Sequence, residues 1–411
     1  MLNRTTIKPT IPSLFTITKL IFLIILIRPT VDLWVNLSLI PGAKYAIINI
    51  AAISSFLVLL AYFYSQVKQS LVPLSGKRIS APLAIPFFVF IVYSVIVSTL
   101  MSGNKLLAGA DCLRLLTILT FYILCYKYVD SEKKARKFVT VFLWSSIIPI
   151  AVGLSQLYTG DSAKLFFRIR GTFVNPNAFG QYLALVSIFA IVFMLYTNRN
   201  KQLLLLFIVF SVFSLIMTLT RSAWIGFFVG IIVLLLITKR SSKRLSIFFL
   251  MAILIFTVIT SLPTFDNLLV NTMDLENVEV SSVASRLLLW GDILSRIYQN
   301  PFLGIGLKQS YFLLNVEPHN DYLRLLLELG VIGFTLFLWI GFLMVRFAYK
   351  IIKYTVPNSF INTLAIAFFC LCTVYLIMSF SDNLLTSLVI QFPIWGLAAI
   401  LHRNALKTMI R

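Results

Sequence analysis

Residues 317–348 read EPHNDYLRLLLELGVIGFTLFLWIGFLMVRFA. A polar cluster (Glu317, His319, Asn320, Asp321) runs directly into an apolar stretch, 323–348. A bilayer crossing takes ~20 apolar residues wound as a helix, because lipid offers the backbone no hydrogen bonds. The stretch therefore reads as a membrane-spanning helix that begins at a polar patch on the water–lipid boundary. His319 is one of two histidines in the chain. Imidazole is the side chain whose ordinary pKa lies nearest neutrality, which makes His319 the first candidate for proton transfer. The other, His402, falls in the basic C-terminal tail and has no comparable setting.

The rest of the chain has the same character. Its 411 residues are 59% hydrophobic and 12% charged, with a mean hydropathy of +0.95, outside the range of soluble domains. The apolar runs predict an all-α polytopic membrane protein of about twelve transmembrane helices. They lie near 11–31, 43–66, 81–101, 107–126, 138–157, 177–197, 202–220, 222–238, 245–262, 323–348, 359–380 and 384–401. Together they make a single integral membrane domain, 1–411. The first run is followed by Arg28, Pro29 and Asp32 without a small-residue cleavage pattern, so it reads as an uncleaved span. Cys112, Cys125, Cys370 and Cys372 all fall in apolar runs. They read as small buried hydrophobes, not as a disulfide framework or metal site.

The net charge of +21 is concentrated on one side. The termini and alternate loops hold 22 of the 35 basic residues and only two acids, Asp130 and Glu132. Basic loops stay cytoplasmic, so both termini are expected inside. The excess is then a topology signal and a contact for anionic membrane lipid, and nucleic acid is not the expected partner. Two outer connections are long, 158–176 and 263–322. The second forms one large extracytoplasmic loop between the ninth and tenth spans. Within it, SSVASRLLLWGDILSRIYQNP (281–301) has apolar residues at helical spacing. Ser281 or Ser282 can cap its start and Asn300-Pro301 ends it, giving an amphipathic helix that lies on the membrane or packs over the bundle. Gly304-Ile305-Gly306 reads as a turn.

Arginines also gather on the outer side. Arg168 and Arg170 precede GTFVNPNAFGQYL (171–183), Arg221 sits in LTRSAWIGF (219–227), and Arg286 begins the amphipathic helix. A single interfacial arginine is commonly a snorkelling side chain. Several on one face, together with His319, point to a shared anionic site. Arginine presents a planar fork of donors matched to phosphate oxygens and stays charged. His319 has the best-matched pKa for a general base, with Glu317, Asp321 and Glu328 as further proton acceptors. Asn175 and Asn177 read either as a turn and helix cap or as site residues. Trp290 reads as an interfacial anchor or a sugar platform, and Glu328 and Gly330 as packing features. There is no HExxH and no aspartate pair to hold a divalent ion, so no metal and no cofactor are expected.

The runs GTFVNPNAFGQYLAL, TRSAW, SRLLLWGDIL…PFLGIG and PHNDYLRLLLELGVIGF occur in that order. Over about residues 165–345 this chain resembles the O-antigen ligase family, which also includes related polysaccharide polymerases. The resemblance implies a membrane glycosyltransferase in the bacterial inner membrane, acting on its periplasmic face without a metal and inverting the anomeric centre. The implied donor is a glycan on undecaprenyl diphosphate. The implied acceptor is lipid A–core in a ligase, or another lipid-linked repeat in a polymerase. The family's essential residues fall on Arg221, Arg286 and His319. Arg170, Asn175, Asn177, Asn320, Asp321 and Trp290 are candidate substrate contacts. A reading from another class is a flippase or transporter for lipid-linked glycans. Transporter sites, however, usually sit at the bilayer midplane between repeated halves, and this chain has no evident repeat.

Overall fold

The computed structural model describes residues 15–31, 56–64, 81–159, 168–196, 201–238 and 282–409, and among them there is no strand. The helices are α1 (Phe15–Ile27), α2 (Ala84–Met101), α3 (Lys105–Tyr128), α4 (Glu132–Trp144), α5 (Ile147–Thr159), α6 (Pro176–Tyr196) and α7 (Lys201–Met217). They continue with α8 (Arg221–Thr238), α9 (Ser282–Ile297), α10 (Gln309–Leu314), α11 (Asp321–Tyr354), α12 (Phe360–Met378) and α13 (Leu388–Met409). A further helical stretch covers 56–64.

Seven helices among the described residues are long and apolar enough to cross a membrane, and α4 and α5 together count as one of them. Two more apolar helices, Ile17–Ile27 and Lys201–Met217, are shorter. The expected span at 245–262, most of the one at 43–66, and both chain ends lie outside the described residues. The expected span at 138–157 is instead continued back to Glu132 by α4, whose charged first turn is capped by the Ser131 hydroxyl. Cys125, Cys370 and Cys372 are buried and free, and Cys112 is partly buried and free.

Helices α6 and α12 form the centre of the bundle, each with 78% of its spanning window buried. They pack on each other and on α8, while α11 packs on α12 and α2, and α3 on α13. The α2 window is only 33% buried, and its outward Ile85, Phe88 and Leu100 suit contact with lipid. Helix α6 starts where expected. Asn175 caps it by accepting a hydrogen bond from the Ala178 N–H (2.8 Å), and Pro176 occupies the first helical position, where a missing N–H costs nothing.

Helix α11 is broken. Gly330 has φ 63° and ψ −172°, splitting the 34-residue element near its start. A break inside lipid frees backbone groups that must find new partners. The segment 301–306 supplies them. Val331 N–H donates to the Pro301 carbonyl (2.8 Å), Ile305 N–H to the Leu327 carbonyl (3.0 Å) and Gly306 N–H to the Glu328 carbonyl (2.8 Å). The Tyr93 hydroxyl of α2 donates to the Leu329 carbonyl (2.9 Å). Gly304-Ile305-Gly306 is thus a turn, as expected, and it is seated on the break. A Cβ at Gly330 would collide with the Phe302 carbonyl. Helix α9 forms as expected and packs on α11. It buries Ile293 completely while Leu287 and Leu288 face outward, so its apolar residues serve both the bundle and the surface.

Gly330 combines a left-handed φ with backbone contact, so Gly330→Ala should cost at least ~1–3 kcal/mol from conformation alone. The expected result is a melting temperature lowered by several degrees in detergent, read by tryptophan fluorescence. An unchanged melting temperature would mean that α11 does not need this break.

Candidate active site

The polar cluster of 317–321 is gripped by the loop between α12 and α13. Asp321 N–H donates to the Ser379 carbonyl (2.9 Å), and the Asp321 carboxylate accepts from the Leu385 N–H (2.8 Å). Asn320 N–H donates to the Asn383 side-chain oxygen (3.2 Å). The Asn383 amide donates to Glu317 (3.0 Å), whose other oxygen pairs with Lys308. Between these contacts His319 is held with φ 50°, a conformation that β-carbon-bearing residues adopt at a cost and that recurs at functional sites. Its ring is 40% exposed and its Nδ1 lies 3.3 Å from Asp382 Oδ1.

Asp382 is therefore the residue that orients the histidine. Its second oxygen accepts from the Gln181 amide of α6 (2.8 Å), and the Asn383 N–H donates to the first (2.9 Å). Burial pushes this carboxyl upward, but the His319 ring, Gln181 and the Asn383 N–H together hold it below the usual aspartate range. An ionised Asp382 fixes the proton on Nδ1 of His319 and leaves Nε2 as the basic nitrogen.

The arginines close around this pair. Arg286 Nη1 donates to the Ser381 carbonyl (3.3 Å), next to Asp382. One turn along the same face of α9, the Trp290 indole donates to the Pro318 carbonyl (2.9 Å), next to His319. Arg168 donates from Nε to the Thr218 carbonyl (2.8 Å), and from Nη2 to Asn177 (2.6 Å) and Thr220 (3.1 Å). These bonds seat it on the turn that leads into Arg221. Gly180 of α6 makes that seat possible, since a Cβ there would meet Thr218 Oγ1 at 2.7 Å. Burial, then the charges of Arg221 and Arg286, pull Arg168 below the usual arginine range. Three guanidinium groups thus feel one another, and a polyanion is the ligand that would relieve their repulsion.

Of the expected residues, Arg221, Arg286, His319, Asn177 and Trp290 are brought to one place. Asn177 and Gln181, four residues apart on α6, link the arginine side to the histidine side. Asn175 and Asn320 are helix caps, Asn320 accepting from the Tyr322 and Leu323 N–H groups. Asp321 is fully buried against Arg324 (3.3 Å). Glu328 is also buried and accepts from Ser310, so it packs inward, away from His319. Arg170 is exposed, and its backbone N–H is held by Gln156 (2.9 Å); the arginine two positions earlier takes the place in the cluster. Arg168, Gln181 and Asp382 complete the site; Arg168 was counted among the outer arginines without being named a contact, and the other two were not singled out. Their only sequence signals were the Arg-x-Arg pair and the polar Ser381-Asp382-Asn383 triplet between two apolar spans.

Residues 206–338, which include Arg221, Arg286 and His319, match the family model described as O-antigen ligase. A protein of Rickettsia conorii named "Putative polysaccharide ligase" is 27% identical over 235 residues, covering 52% of this chain and 54% of that protein. A Rickettsia typhi protein of the same description is 26% identical over 245 residues, covering 53% and 58%. The chain spans little more than half the length of these relatives. Residues 206–338 of this bundle of apolar helices are thus similar to the O-antigen ligase family.

Proposed function

We propose that this protein is a membrane glycosyltransferase of the O-antigen ligase type, moving a glycan from a lipid-linked diphosphate to an acceptor hydroxyl. The observation that carries this reading is the convergence of Arg168, Arg221 and Arg286 beside the His319–Asp382 pair. The arginines bind the donor diphosphate and stabilise the charge it gains as the bond to the anomeric carbon breaks. His319 Nε2 takes the proton of the acceptor hydroxyl as its oxygen attacks the anomeric carbon from the face opposite the diphosphate. The glycosidic bond forms with inversion, and the lipid diphosphate departs. The guanidinium groups supply the positive charge that a divalent ion would otherwise bring, so the transfer is read as metal-independent. The donor lipid is read as undecaprenyl diphosphate and the acceptor as lipid A–core, with the polymerase reaction on a second lipid-linked repeat as the alternative. The site is read as facing the periplasm, with the basic loops in the cytoplasm.

A broken helix beside buried charge, such as α11 with Arg324, is also a device of transporters. The two readings separate in one assay, because a transporter leaves its cargo covalently intact.

With purified protein, a lipid-linked glycan and acceptor in detergent, His319→Ala should lower transfer by at least ~100-fold with an unchanged melting temperature; full activity in this variant would overturn the assignment. Asp382→Asn should lower the turnover rate more than the apparent donor affinity, and should shift the pH profile of what remains, since it removes the group that fixes the imidazole tautomer. Because the Asp382 pKa is depressed, its stabilising contribution is complete above the unfolded value of about 3.9 and lost only as pH falls through its lower folded value. The acid limb of the wild-type melting curve should therefore flatten in Asp382→Asn. Arg168→Gln should raise the donor concentration needed for half-maximal rate, by roughly 10-fold or more. Addition of EDTA should leave the rate unchanged; a loss restored by a divalent ion would overturn the metal-free mechanism.

A further inference from the structure

The far end of α11 carries a second constellation. His402 was expected in the basic C-terminal tail, yet it lies within α13 and is only 1% exposed. Its ring packs on Phe347 (centroids 3.7 Å apart) and edge-on to Tyr122 (6.1 Å). The Leu83 N–H donates to the Tyr122 hydroxyl (3.3 Å), and that hydroxyl lies 3.3 Å from His402 Nδ1. Either atom of this pair can be the donor. Nε2 is buried and has no hydrogen-bond partner, although buried polar atoms are rarely left unpaired.

His402 lines a cleft of about 210 Å³ together with Pro82, Leu83, Leu343, Phe347, Arg346 and Lys350. That is about an order of magnitude more room than the ~10–15 Å³ that admits one water. Arg346 and Lys350 stand one helical turn apart on α11 and both are exposed. Among the described residues neither has a carboxylate within ion-pair reach. Two cations and a buried imidazole line one cleft whose remaining walls are apolar. Arg346 is 25 positions along α11 from Asp321, roughly 35–40 Å at helical rise. This is a bilayer thickness from the arginine cluster, so the cleft is no part of that site.

We infer that the cleft between α2, α11 and α13 binds a phosphate ester, whose oxygens accept from Arg346 and Lys350. The walls formed by Leu83, Leu343 and Phe347 suit the glycerol and upper acyl carbons of an anionic phospholipid. A soluble phosphate ester would offer the same oxygens.

The full-length protein in detergent is tested in two arms. In the first, it is incubated with equal amounts of phosphatidylglycerol and phosphatidylcholine, and retained lipid is counted by native mass spectrometry. In the second, inorganic phosphate is titrated and the melting temperature followed. Preferential retention of phosphatidylglycerol alone assigns the site to a lipid headgroup; a phosphate-dependent rise in melting temperature assigns it to a soluble phosphate ester. In either case Arg346→Gln/Lys350→Gln should cut the response at least about 10-fold. These side chains are exposed, and the doubly substituted protein should melt at the wild-type temperature without ligand. A control with the same charge loss outside the cleft at the same end of the bundle, Lys133→Gln/Lys353→Gln, should retain the response. No response in either arm, a response that survives Arg346→Gln/Lys350→Gln, or an equal loss in the control would each overturn the inference.

Discussion

A break in a membrane helix has to be repaired, and the repair at Gly330 organises the half of this protein that carries the candidate site. The carbonyls of Leu327 and Glu328 and the N–H of Val331 cannot turn to water, so they recruit the backbone of 301–306. That contact ties the chain leaving α9 to the bundle, and the Tyr93 hydroxyl locks the break from the other side. Helix α9 is consequently set against α11, where Arg286 and Trp290 reach the loops beside His319. The first nine residues of α11, Asp321–Leu329, become a short independent helix. Its buried face carries Arg324 among Asp321, Glu328 and Asp111, all at most 2% exposed. Charges this deep are tolerated only when they neutralise one another.

The same economy of partners shapes the site. Nearly every polar group near His319 has a structural bond that leaves one functional group facing the open side. Asp382 spends one oxygen on Gln181 and offers the other to the imidazole. Arg168 is anchored through Nε and Nη2 to the turn before Arg221. Fixing several like charges near one another is unfavourable until an anion arrives. In the proposed transfer the fold meets this cost, so no reorganisation is needed when charge develops on the departing diphosphate.

The two ends of the bundle differ in how they hold cations. Near His319 the arginines are partly buried, and Arg168 and Arg286 are bonded to backbone carbonyls. At the other end Arg346 and Lys350 are exposed on a helix that passes an apolar cleft. The first arrangement is rigid and suits chemistry; the second suits the headgroup region of a bilayer, where long basic side chains adjust to an anionic surface.

Much was legible in the sequence because bilayer physics leaves few choices. Apolar runs of fixed length had to be helices, Asn175-Pro176 had to start one, and 281–301 carried a helical period that became α9. The reading of His319, Arg221 and Arg286 as one site rested on residue type and on motif order. The sequence could not distinguish Arg168 from Arg170, since both precede the same motif; only the seat formed by Thr218, Thr220 and Asn177 selects the first. It could not show that Asp321 turns inward while Asp382, 63 positions from His319, turns toward the histidine. It placed His402 in a tail, whereas packing against Phe347 and Tyr122 buries it. The sequence by itself determined that the apolar runs among the described residues are helices, because desolvating an unpaired backbone is too costly to allow alternatives. Which polar side chains share a site was decided only by the tertiary structure, because each buried donor or acceptor takes whichever partner the packing of distant helices brings within reach.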